Sequence, residues 1–99
     1  MKYVFKLIYI PEDILVSVRE CKVFKMNLPK GSIVHRVVRG REDYAYIQYP
    51  KDNSNTEEEV SFFLFSVEEK IMDIPEEMEL YPIDVCGMGP AILFGLKKK

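Results

Sequence analysis

The chain has 99 residues, 47% of them hydrophobic and 30% charged. That is enough for one domain with one core, and it argues against a disordered chain or a large enclosed active site joined to a separate binding domain. Net charge is only −2, but it is segregated: residues 1–50 carry nine basic and five acidic side chains, residues 51–84 two basic and eleven acidic, and residues 85–99 three lysines.

The first ten residues, Met1 to Ile10, alternate Tyr3, Phe5, Leu7 and Tyr9 with Val4, Lys6, Ile8 and Ile10. Both sets are mainly apolar, which predicts a strand that is central or covered on both sides. Lys6 interrupts the apolar run and no small-residue cleavage pattern follows, so a signal peptide is not expected. No stretch approaches the roughly 20 apolar residues of a membrane-spanning helix. The expected setting is the cytoplasm, with no membrane partner.

Pro11-Glu12-Asp13 breaks the first strand, and Ile14 to Val18 is a short β-branched stretch. Lys22 to Leu28 reads as a strand, and Leu28-Pro29-Lys30-Gly31 as a turn, with proline presetting φ and glycine accepting a positive φ. Ser32 to Arg39 is the next strand. Arg39 to Asp43 is a polar hairpin connection, and Tyr44 to Tyr49 returns with Tyr44, Tyr46 and Gln48 on one face. Pro50 to Thr56 has the composition of a mobile loop. Val60 to Val67 holds the most hydrophobic run, Phe62 to Phe65. Residues 68–79 are rich in glutamate, but Pro75 limits them to a loop with a helical turn. Leu80 to Val85, the turn Gly87-Met88-Gly89-Pro90, the strand Ala91 to Leu96 and a frayed lysine tail complete the chain. Together these signals predict a single mainly β domain over residues 1–99. The predicted architecture is a small antiparallel sandwich or barrel of six to seven short strands, with at most one short helix.

From Phe24 onward the order of signals resembles a family of small phage-encoded β-rich proteins of unknown function. The matching residues are Leu28-Pro29-Lys30-Gly31, Ile33-Val34 with Val37-Val38, Tyr44-Ala45-Tyr46-Ile47, Glu57-Glu58-Glu59, Phe62 to Phe65, and Gly89-Pro90-Ala91-Ile92-Leu93-Phe94. The resemblance covers about residues 24–96 and departs from the family pattern at Gly89-Pro90 and at Ile10 to Cys21. It implies a compact β fold, a phage or mobile-element origin, and a binding role toward a host protein in the host cytoplasm, such as inhibition of host defence.

No catalytic constellation is legible. His35 is the single histidine and shares its predicted strand face with Ile33 and Val37, so it reads as a histidine at a sheet edge or bonded to backbone. Cys21 and Cys86 read as small hydrophobes rather than a disulfide or zinc pair. Adjacent carboxylates in Glu57-Glu58-Glu59 and Glu76-Glu77 point to opposite sides of an extended chain, so no metal site and no cofactor is expected. Gly87-Met88-Gly89-Pro90 lacks the helix that a phosphate loop requires. Arg36, Arg39 and Arg41 near Tyr44 and Tyr46 could stack bases, but the acidic balance argues against nucleic acid.

The expected function is therefore non-enzymatic surface recognition of a host protein. The expected contact residues are the acidic Glu57, Glu58, Glu59, Glu76, Glu77 and Glu79, with Arg39, Arg41 and Met88. A homodimer through paired sheet edges is a further expectation. The alternative is a ligand-binding or catalytic pocket beside His35, Cys86 and Gly87.

Overall fold

A computed structural model describes residues 1–11, 22–65, 71–86 and 92–99. It contains seven strands: β1 (Tyr3–Ile10), β2 (Lys22–Pro29), β3 (Ile33–Val38), β4 (Asp43–Pro50), β5 (Glu57–Phe65), β6 (Met78–Cys86) and β7 (Ile92–Lys98), with one 3-10 turn at Lys51–Asn53. They form a single curled, half-barrel sheet in the order β1-β4-β3-β6-β7-β5-β2. The predicted strands are present and the domain is mainly β. Of the segment 68–79, predicted as a loop with a helical turn, residues 71–77 form no helix and residues 78–79 begin β6. The predicted segment Ile14 to Val18, residues 68–70 and the turn Gly87 to Pro90 lie outside the described residues.

Alternation builds the core. On the concave side Val34, Val37, Ala45, Ile47, Phe62 and Leu64 are buried in one cluster, joined by Ile83 and Leu93. These are the residues whose period-2 spacing puts them on one face of their strands. Tyr81 from β6 crosses the strand next to it. A Cβ added at Gly95 would lie 2.3 Å from the Tyr81 Cζ, so glycine is what lets the ring lie against β7. The ring reaches β3, where the Val34 N–H donates to the Tyr81 hydroxyl over 3.0 Å. Burial raises the Tyr81 pKa above its ordinary value, and the hydrogen bond from Val34 opposes part of that rise.

Four sequence expectations are corrected. First, β1 is outermost among the described strands and is exposed on one face. Its even residues Val4, Ile8 and Ile10 meet the core, while Tyr3, Phe5, Leu7 and Tyr9 are exposed. Second, the sheet is not wholly antiparallel, because β3 and β6 pair in parallel over Arg36 to Val38. No crossover helix is needed, since β4 and β5 lie between these two strands in the chain. Third, the register of β3 on β4 shifts between Val34 and Arg36. This bulge turns both His35 and Arg36 outward and leaves Val37 buried, so His35 does not share the face of Val37. Fourth, Pro50 to Thr56 is a hydrogen-bonded turn around the 3-10 segment Lys51–Asn53 rather than a structureless loop. Ser54 N–H bonds Lys51 C=O, Thr56 N–H bonds Asn53 C=O, and Asn53 Nδ2 donates to Lys30 C=O. Gly31 faces this turn with φ +81°, the conformation glycine was expected to supply.

Candidate functional site

The site begins with the outer, convex face of β1, β4 and β3. Antiparallel register sets Phe5 opposite Gln48, Leu7 opposite Tyr46 and Tyr9 opposite Tyr44. Directly opposed side chains of an antiparallel pair stand on the same face, so the outward residues of β1 and β4 form one continuous surface. Phe5 is 69% exposed, Tyr46 49% and Tyr9 47%. Tyr9 meets Tyr44 edge-on, with ring centroids 6.0 Å apart and planes at 71°.

The bulge in β3 adds a polar rim. His35 Nε2 and Gln48 Oε1 are 2.8 Å apart, a bond between neighbouring strands. Arg36 reaches Asp84 Oδ2 on β6 at 2.7 Å. Tyr44 donates its hydroxyl to Glu42 Oε2, and that bond, together with the negative charge of Glu42, raises the Tyr44 pKa. At neutral pH Tyr44 is therefore a hydrogen-bond donor. Phe5, His35, Arg36, Tyr46 and Gln48 line a shallow open groove of about 430 Å³ on this face. Its chemistry is aromatic contact bordered by paired polar groups.

Three of the acidic side chains have partners within the chain. Glu58 Oε1 accepts the Gly31 N–H at 2.9 Å, Glu59 pairs with Lys25 at 3.6 Å, and Glu79 pairs with Lys97 at 3.7 Å. Glu57 is exposed at the start of β5, and Glu76 and Glu77 are exposed in the turn before β6. Glu58 and Glu59 also line a cleft of about 360 Å³ together with Lys30, Lys97 and Lys98. Strand pairing thus interleaves acids from β5 and β6 with lysines from β2 and β7.

Arg39 is half-buried at the β3–β4 connection, with its Nε 3.4 Å from Asp43 Oδ1 and its N–H on Cys86 C=O. Arg41 is exposed in the same connection. Met88 and Gly87 lie outside the described residues. His35 and Cys86 are not brought together: Arg36 pairs with Asp84 and Val38 with Cys86. That places Cys86 roughly 10 Å along the ladder from His35 at the rise of a strand. Among the described residues no three His, Cys, Asp or Glu side chains converge on one point. No helix among them is long and apolar enough to cross a membrane.

The sequence alone does not show that Phe5, Leu7 and Tyr46 are exposed together, because a strand apolar on both faces reads as covered on both. The signal was Lys6. A lysine at an inward position, flanked by Val4 and Ile8, marks an edge strand.

Comparison with known proteins finds no matching family model, no similar curated protein and no similar solved structure.

Proposed function

We propose that this chain is a non-enzymatic binding protein that recognises another protein through the outer face of β1, β4 and β3. The observation that carries this reading is the contiguous exposed surface of Phe5, Leu7, Tyr9 and Tyr46. Exposed apolar surface rimmed by polar groups is the mark of an interaction site, and tyrosine and phenylalanine are enriched at interface centres. The cations on this face favour protein over nucleic acid, since Arg36 already holds Asp84. If the phage-family resemblance of residues 24–96 reflects kinship, the partner is a host protein, and inhibition of host defence is the role that fits.

The test is capture from host lysate with quantitative mass spectrometry, comparing three forms of the protein. A His35→Ala/Tyr46→Ala double variant should lose its specific partner by at least about tenfold, as expected for residues at an interface centre. A Glu57→Lys/Glu76→Lys/Glu77→Lys variant should retain it. The reverse pattern would move the contact surface to the acidic segment and overturn this reading.

A further inference from the structure

The edge of β1 away from β4 has a defined hydrogen-bonding phase. Lys51 N–H donates to Lys2 C=O, and the ladder continues from Tyr3 opposite Pro50 to Ile10 opposite Asp43. Antiparallel pairs alternate between bonded and non-bonded. Hence Val4, Lys6, Ile8 and Ile10 direct their main-chain groups to β4. Tyr3, Phe5, Leu7 and Tyr9 direct theirs away, to a side where no described strand pairs. These residues, whose outward main-chain groups meet no described strand, are also those with exposed apolar side chains.

The outward sequence is self-complementary. Leu7 is flanked symmetrically by the aromatics Phe5 and Tyr9. An antiparallel copy of β1 centred on Leu7 sets Leu7 against Leu7, Phe5 against Tyr9, Lys6 against Ile8 and Val4 against Ile10. Every bonded position then meets a bonded position. Aromatic cross-strand pairs add to the main-chain bonds, and the Phe5–Tyr9 pair would extend the existing Tyr9–Tyr44 contact. Other registers are worse. Centring on Lys6 opposes two lysines, and centring on Phe5 carries Tyr9 opposite Met1, outside the strand. Centring on Ile8 carries Phe5 opposite Pro11, also outside the strand, so the strand ends and Lys6 together favour the register centred on Leu7.

We propose that β1 pairs with β1 of a second copy about a two-fold axis at Leu7, joining two sheets into one. The occupant is a second copy because a single strand supplies both halves of a matched aromatic–leucine–aromatic pattern. The pairing leaves the outer faces of both copies side by side, and it stands independently of the partner-binding role proposed above.

The experiment is sedimentation equilibrium at micromolar concentrations, with cysteine cross-linking to read the register. The wild-type chain should sediment at twice 11.6 kDa. Leu7→Lys, which sets two cations across the axis, should sediment as a monomer with an unchanged circular dichroism spectrum. In a Cys21→Ser/Cys86→Ser background, Leu7→Cys should form an intermolecular disulfide under mild oxidation, because opposed Cα atoms of a bonded pair lie about 5.5 Å apart. Lys6→Cys and Lys25→Cys should cross-link far less. Tyr46→Ala should leave the mass doubled, which separates this proposal from the recognition role. A monomeric wild type, a dimeric Leu7→Lys variant, or cross-linking at Lys6 or Lys25 equal to that at Leu7 would each overturn the proposal.

Discussion

The two outermost of the described strands, β1 and β2, have the same length and each pairs antiparallel with one described neighbour, yet their other sides differ. Lys30 N–H bonds Thr56 C=O, which sets Val23, Lys25, Asn27 and Pro29 on the free phase of β2. Lys25 is held by Glu59, and Pro29 has no N–H to offer. Charge and proline are the usual means of blunting an edge. The free phase of β1 instead carries Tyr3, Phe5, Leu7 and Tyr9, and its one lysine, Lys6, sits on the bonded phase. Overall composition does not distinguish the two strands. The phase on which the charges fall does.

The strongest way to break this comparison is to uncouple the half of the sheet that carries β1 from the half that carries β2. Tyr81 links β6 and β7 to β3. A Cβ at residue 95 would strike its ring, so Gly95→Ala should cost about 3 kcal/mol or more through displacement of the ring and loss of the bond to Val34. Urea unfolding followed by probes on β1 and on β2 should shift together. A shift of one alone would mean that the halves are stabilised separately.

Proline placement tests the phases directly. Ile8→Pro and Phe24→Pro remove ladder donors on β1 and β2, and each should cost roughly 2–3 kcal/mol by denaturant midpoint. Lys25→Pro loses an N–H that faces outward and should cost under about 1 kcal/mol, and Leu7→Pro should cost as little where the chain is diluted to a monomer. Equal costs at adjacent positions would contradict the assigned phase.

Tyr81→Phe leaves the buried Val34 N–H without its acceptor and should cost about 1–2 kcal/mol. It should also change the alkaline limb of stability. The Tyr81 pKa is raised on folding, so the folded state holds its proton more tightly than the unfolded state does. The contribution is fully present below about pH 10 and is lost as pH rises above it. Melting curves between neutral and alkaline pH should therefore fall less steeply for Tyr81→Phe than for wild type.

The smallest effects belong to the acidic residues near the β2 side. Charge reversal at Glu57, Glu76 and Glu77 should change stability by less than about 0.5 kcal/mol. Glu58→Ala should cost somewhat more, about 0.5–1 kcal/mol, because Glu58 accepts the Gly31 N–H at the turn leading out of β2. Thermal melts of the four single variants would rank them.

Much of this was written locally. The period-2 alternation of Tyr44 to Tyr49 puts Tyr46 and Ile47 on opposite faces, and the structure agrees. Leu28-Pro29-Lys30-Gly31 specified a turn with a positive φ, and Pro75 lies in a stretch where residues 71–77 form no helix. These features depend on neighbours a few residues apart, which sequence places next to one another. Other features depended on partners far along the chain. The edge position of β1, the parallel pairing of β3 with β6, and the His35 bulge arise from strands meeting across long separations. The same holds for the acids: Glu58, Glu59 and Glu79 look like one charged segment until Gly31, Lys25 and Lys97 are brought beside them. Alternation determines which side chains share a face. Only tertiary pairing decides whether that face is covered, because the covering residues come from elsewhere in the chain.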